Sequence, residues 1–134
     1  MKFTSCTLHV VSVYRPPNTS TYAKPFSVFL SEFSALLSSL TATKSDYVIT
    51  GDLNIHVDQP HDPMTQQLNS LLNSCNAAQH VSIATHSDNH TLDLVIIPTW
   101  SALEPTSVTI LPYSPSDHFP VVFSFNHSKY WNDP

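Results

Sequence analysis

Three short stretches of this chain carry polar residues of the kinds that move protons and hold cations, and each borders an apolar run. The first is Tyr47-Val48-Ile49-Thr50-Gly51-Asp52-Leu53-Asn54-Ile55-His56, in which a β-branched strand pattern breaks at the only glycine in the protein. Asp52 and Asn54 follow the break two residues apart. In extended geometry both would project to one side at a strand's C-terminal end, where open α/β sheets place their sites. Gly-Asp-x-Asn is also ordinary turn chemistry, and taken alone this stretch does not separate the two readings. The second is Thr91-Leu92-Asp93-Leu94-Val95-Ile96-Ile97, a single carboxylate among apolar neighbours. Asp93 must be paired or must face water at an edge, because an unpaired buried charge is costly. The third is Asp117-His118, just before the apolar run from Pro120. It sets an oxygen ligand suited to a hard divalent cation beside an imidazole that can bond a phosphate or move a proton near neutral pH. Together the three stations point to metal-assisted acid–base chemistry more strongly than any one does.

The remaining histidines read differently. His56 follows the Gly-Asp-x-Asn turn and is expected to face water. His86-x-x-x-His90 has helical ligand spacing, but Asp88 and Asn89 between them mark a loop, and no third ligand lies nearby in sequence, which argues against zinc. Cys6 and Cys75 lack CxxC or zinc-finger spacing and read as reduced thiols.

Positioning these stations requires strands and covering helices. Leu8 to Tyr14 reads as a strand stopped by Arg15-Pro16-Pro17-Asn18. Pro25 to Leu40 reads as a helix with Phe26, Phe29, Leu30, Phe33, Leu37 and Leu40 on one stripe. After the Tyr47 strand, Asp62-Pro63 forms a cap and first turn for a second helix whose apolar side is Met64, Leu68, Leu71, Leu72 and Cys75. Strands are expected at Val81 to Thr85, Thr91 to Ile97, Ser107 to Leu111 and Pro120 to Phe125. The tail from His127 is expected to fray.

Composition bounds the rest. The 134 residues suit one domain, and 41% hydrophobic residues suffice for a core. Five Lys plus Arg stand against ten Asp plus Glu, the wrong sign for a protein that grips nucleic acid through a basic face. A phosphate substrate would need a cation to bring it in. The N-terminus makes a poor signal peptide and no apolar run approaches membrane-spanning length, so an intracellular setting, without membrane contact, is expected. Three Asn-x-Ser/Thr triplets, at Asn18, Asn89 and Asn126, are then left bare.

Gly51-Asp52-Leu53-Asn54, Thr91-Leu92-Asp93-Leu94 and Ser116-Asp117-His118-Phe119-Pro120-Val121 resemble the later motifs of the endonuclease/exonuclease/phosphatase superfamily, the DNase I-like fold. The upstream Val13-Tyr14-Arg15-Pro16-Pro17-Asn18 is similar to the segment that precedes them, and the likeness is nearest to the apurinic-type endonuclease domain of LINE-type (non-LTR) retrotransposons. Leu53 stands where an aromatic is usual. The resemblance implies an α/β fold, the C-terminal half of a four-layer α/β/β/α sandwich, with residues 1–126 as a partial domain and 127–134 as a tail. It implies that Asp52 orients or deprotonates the attacking water and Asn54 holds that water or the phosphate. Asp117, with Asp52, would bind Mg²⁺ or Mn²⁺, and His118 would contact the scissile phosphate. Asp93 would accept from the other ring nitrogen of His118, and Tyr14 would bond a phosphate oxygen.

The family's N-terminal half, with an early Asn and a metal-binding Glu, has no match here: the only glutamates are Glu32, in the helical segment, and Glu104, beside Pro105. Three functions follow from this. The chain is a fragment of a metal-dependent DNA endonuclease (or of a phosphoesterase with another substrate), an inactive remnant, or a fragment that needs its missing half in trans. Alone it is expected to bind metal weakly, to bind DNA poorly or not at all, and to self-associate through a bare apolar sheet face flanked by Val121, Val122, Phe123 and Phe125 on an unpaired edge.

Overall fold

The computed structural model describes residues 7–17 and 24–126; Cys6, Asn18 and the tail from His127 lie outside the described residues. The central strand is β2 (Asp46–Asp52). Its alternating side chains serve two cores at once, Tyr47 and Ile49 on one side and Val48 on the other, each at most 1% exposed. β1 (Leu8–Ser12) runs parallel to β2, with Val10 opposite Val48. β4 (Asp93–Pro98) runs antiparallel to β2 on its other flank, and the short β3 (Ala77–Gln79) pairs antiparallel with β4, giving the order β1-β2-β4-β3.

The two helices lie on one face of this sheet. Helix α1 (Phe26–Ala42) is the crossover from β1 to β2 that a parallel pair requires, and it buries Phe33, Leu37 and Leu40. Pro25 precedes its first residue as the cap position, with a ψ of 140° that ends the extended approach. Helix α2 (Pro63–Ser74) starts as its sequence predicts: the Asp62 carboxylate accepts from Met64 N at 2.8 Å and Thr65 N at 3.2 Å, with Pro63 in the first turn. Leu68 and Leu72 of α2 meet Phe33, Leu37, Ile49, Leu94 and Ile96 in one core.

The opposite face is not bare. β5 (Glu104–Ile110) and β6 (Val121–Asn126) form an antiparallel pair, and Val108, Val121, Phe123 and Phe125 pack on Val48, Val81, Val95, Ile97 and Leu103. The expected bare face is corrected by strand alternation, whereas β6, paired only with β5, keeps the unpaired edge that was expected. Val121, Phe123 and Phe125 point inward, whereas Val122, Ser124 and Asn126 alternate with them outward among residues that are mostly polar. Apolar exposure on the larger sheet is confined to β1, where Val10 is 67% and Leu8 38% exposed. The architecture is therefore an α/β one, helices on a mixed sheet with a second sheet on its other face, as the resemblance implies for these motifs.

Two local expectations fail. Val81 to Thr85 is not a strand: the Gln79 side chain bonds both the N–H and the C=O of Val81, at 2.8 Å for the latter, and so takes from the ladder the groups that would continue it. Asn54 is not extended, having a φ of 49°. With one glycine in the chain, Asn54, Asn76 and Asn89 occupy the left-handed positions that glycine would otherwise take.

Gly51 itself is required by contact. Its φ is +136°, and a Cβ there would lie 1.9 Å from the carbonyl oxygen of Val13. Without a side chain at this point, the segment after β1 keeps its course beside β2 through Val13 N to Thr50 O at 2.8 Å and Arg15 N to Asp52 O at 2.9 Å.

Candidate active site

The site forms where β2 ends and β4 begins. Antiparallel register sets Asp52 directly opposite Asp93. Both have the parity of Val48 and Val95, so they point to the side covered by the second sheet, and His118, three residues ahead of β6, meets them there. Asp93 Oδ2 lies 2.8 Å from His118 Nδ1, inside the roughly 4 Å that direct pairing requires. Asp52 Oδ2 lies 3.5 Å from His118 Nε2. The imidazole is thus bracketed by two carboxylates, one on each ring nitrogen.

This bracketing sets the protonation. Burial pulls the His118 pKa down, but the hydrogen bond and charge of Asp93, with the charges of Asp52 and Asp117, outweigh it and the net shift is upward. A neutral ring with its proton on Nδ1 would turn a lone pair toward Asp52, so the imidazolium is the form that satisfies both neighbours. Asp52 is shifted upward as well. Burial is the chief cause and the like charge of Asp93 adds to it, against the opposing Asn54 N–H and the histidines 118 and 86.

The loop after β2 is held by Arg15, whose role the sequence did not disclose. Its Nη1 donates to the carbonyls of Leu53 at 3.2 Å and Asn54 at 3.3 Å, and Asn54 Nδ2 returns a bond to Arg15 O at 2.6 Å. Asn54 N also donates to Asp52 Oδ1 at 2.9 Å, while Asn54 Nδ2 lies 3.4 Å from Asp52 Oδ2. The guanidinium is capped by Phe26 and Phe29 of α1, 5.1 and 5.4 Å from their ring centroids. Arg15, only 7% exposed, fixes the loop and does not offer its charge to a ligand.

Thr85 was equally silent in the sequence. Fully buried, its hydroxyl accepts from Leu92 N at 3.0 Å and Asp93 N at 3.1 Å, and its carbonyl accepts from Phe119 N at 2.7 Å. One residue thereby ties the start of β4 to the segment carrying His118.

The other candidates scatter around this centre. Asp117 does not join Asp52. Its Oδ2 lies 3.2 Å from His86 Nε2, a bond that holds its pKa down, and its side chain is 65% exposed. Two sets of three ligand atoms result, Asp52, Asp93 and His118 in one and His86, Asp117 and His118 in the other, with His118 common to both. Tyr14 is 68% exposed and makes no hydrogen bond to either set among the described residues. His86 and His90 are not joint ligands, because His90 Nδ1 pairs with Asp58 Oδ2 at 3.0 Å. His56 does not face water as expected; its ring stacks on that of His90 with centroids 3.9 Å apart. Glu32 is on α1, paired with Lys24 at 2.7 Å. Among the described residues, no helix is long and apolar enough to cross a membrane.

Comparison with protein families matches residues 8–122 to the endonuclease-reverse transcriptase model, which spans all three polar stations. No curated protein sequence matches the chain. With the three stations gathered on one histidine and the match running over most of its length, the chain belongs to the endonuclease-reverse transcriptase family, a retrotransposon-type branch of the endonuclease/exonuclease/phosphatase superfamily.

Proposed function

We propose that the chain is the site-bearing part of a divalent-metal-dependent DNA endonuclease that hydrolyses phosphodiesters. The observation that carries this reading is the His118 imidazole held between Asp93 at 2.8 Å and Asp52 at 3.5 Å. A cationic ring fixed in this way donates to a phosphoryl oxygen, and Asp93 orients it. Asp52, whose proton affinity burial raises, takes the proton of the attacking water. The Asn54 amide is turned inward to Arg15, which makes Asn54 a brace for Asp52 before it is a substrate contact. Tyr14, exposed, is left to meet a phosphate from the substrate side.

Mg²⁺ or Mn²⁺ suits the oxygen donors but not the imidazole. Asp93 Oδ2 is committed to His118 and Asp52 Oδ1 to Asn54, so we assign the ion to Asp52, with Asp117 as a second ligand once it leaves His86, and there the ion would neutralise charge on the phosphate. Two carboxylates, each already sharing hydrogen bonds, make a weak site. We propose that a further carboxylate, from a segment that this chain lacks, completes it in a longer protein or a partner. DNA affinity of the chain alone should be low. Arg15 is engaged within the fold, Lys24 is paired with Glu32, and the formal net charge is −5. Among the described residues, the surfaces open to self-association include the β1 patch of Leu8 and Val10, the free strand edges and the exposed side chains of Trp100, Leu111, Tyr113 and Val122.

The test is Mg²⁺-dependent nicking of supercoiled plasmid by this chain and by a version extended with a family N-terminal half, each beside its Asp52→Asn and His118→Ala variants. Nicking by the extended form that both substitutions abolish supports the reading. An extended form that folds and binds Mg²⁺ yet leaves plasmid intact refutes it and favours an inactive remnant.

A further inference from the structure

The contact between His86 and Asp117 takes no part in the hydrolysis proposed above. Residues 85–90 form a tight turn, with Asn89 left-handed at φ 66°. This turn is fastened to the segment before β6 by an antiparallel bridge between His86 and His118, and by Ser87 N to Asp117 O at 2.8 Å and Phe119 N to Thr85 O at 2.7 Å. Backbone bonds therefore fix the two loops, and the rings of His86 and His118 meet edge to face at 4.9 Å. One ligand atom from each of His86, Asp117 and His118 lies within 4.8 Å of the other two.

The donor set selects a cation. His86 Nε2 and Asp117 Oδ2 are 3.2 Å apart, close to the roughly 3.3 Å that separates two ligands each about 2.0–2.1 Å from a tetrahedral ion. Two imidazoles and one carboxylate suit a borderline ion of the Zn²⁺ type and are poor ligands for Mg²⁺, which demands oxygen. Each imidazole also has a carboxylate behind it. Asp93 Oδ2 stands at His118 Nδ1, so Nε2 ligates once the ion displaces its proton to solvent. Asp88 N now donates to His86 Nδ1 at 3.1 Å, which puts the neutral ring's proton on Nε2. An ion at Nε2 moves that proton to Nδ1, where Asp88 Oδ2 at 3.6 Å can accept it.

We propose that His86, Asp117 and His118 form a binding site for a borderline divalent cation such as Zn²⁺, and that the bound ion occupies His118 Nε2, the ring nitrogen that faces Asp52, blocking hydrolysis. The binding half stands on the geometry alone; the inhibitory half rests on the function proposed above.

The test is calorimetric titration of Zn²⁺ into the chain in the presence of excess Mg²⁺, with Co²⁺ absorption reporting four-coordinate geometry. His86→Ala should weaken Zn²⁺ binding by at least about tenfold and abolish the intense Co²⁺ bands, whereas His90→Ala and Asp52→Asn should leave affinity within about threefold. His86→Asn serves as the second variant if His86→Ala fails to fold by near-ultraviolet circular dichroism. Undetectable Zn²⁺ binding, binding that neither His86 variant weakens, or binding that His90→Ala or Asp52→Asn weakens equally overturns the site. In the extended, nicking form, Zn²⁺ should inhibit the wild type and spare His86→Ala; equal inhibition of both overturns the inhibitory half. Calorimetry needs no activity, so a failure of the endonuclease reading is distinguishable from a failure of this site.

Discussion

Gly51→Ala should be among the most damaging single substitutions in the chain, although it adds one methyl group. Two costs add at this position. The backbone φ of +136° lies where residues with a Cβ are strained by about 1–3 kcal/mol. The new Cβ would also sit 1.9 Å from the Val13 carbonyl oxygen and 2.9 Å from its carbon, backbone atoms that cannot swing aside as a side-chain tip could. Relieving that clash moves the segment after β1 off β2 and strains or breaks Val13 N to Thr50 O and Arg15 N to Asp52 O, each bond contributing about 1 kcal/mol. The expected loss is therefore about 3–5 kcal/mol, set against roughly 5–15 kcal/mol for a whole domain. Because Arg15 then loses its grip on the Leu53 and Asn54 carbonyls, the Asp52 loop should loosen even in molecules that remain folded. Urea unfolding of the wild type and Gly51→Ala measures the first effect, and amide exchange at Leu53 and Asn54 the second. A loss below about 1 kcal/mol, with exchange unchanged, would show that β1 does not depend on the bare glycine and would refute the packing argument.

Three further outcomes are expected. The raised His118 pKa implies that the stabilisation from its carboxylate neighbours is fully present below its unfolded value of about 6.5 and is lost as pH rises through the folded value. Accordingly, NMR titration should place His118 above an unfolded histidine, Asp93→Asn should lower it, and wild-type stability should fall between pH 6 and 8 more than that of Asp93→Asn. The Tyr47 hydroxyl is buried without a hydrogen-bond partner among the described residues, so Tyr47→Phe should leave stability unchanged or raise it by about 1 kcal/mol, and a loss above that in thermal melts would reveal a partner for the hydroxyl. Asp62→Ala removes an acceptor for two N–H groups at the start of α2 and should cost about 1 kcal/mol in urea unfolding, with Asp62→Asn recovering most of it.

Sequence alone determined the features that depend on neighbours along the chain. The apolar stripe of α1, the Asp62-Pro63 start of α2 and the buried run ending at Gly51 are local patterns, and each produces its element because periodicity and capping act within a few residues. The identities of Asp52, Asp93 and His118 were likewise readable, since polar residues at the borders of apolar strands are conspicuous. Tertiary structure decided who meets whom. Antiparallel register alone sets Asp52 against Asp93, and the packing of β6 over β4 brings His118 to a carboxylate 25 residues earlier. His86 gives no local sign that its partner is Asp117, 31 residues on, rather than His90, because the turn that separates the two histidines is fixed by bonds to another loop. Arg15 read only as part of the segment that stops the first strand, yet two aromatic rings of α1 and two carbonyls of a distant loop engage it. The apolar face expected to be bare is covered because alternation in β6 turns Val121, Phe123 and Phe125 to one side. The reason is the same in each case: propensity and pattern act over a few residues, whereas pairing and burial compare every part of the chain with every other.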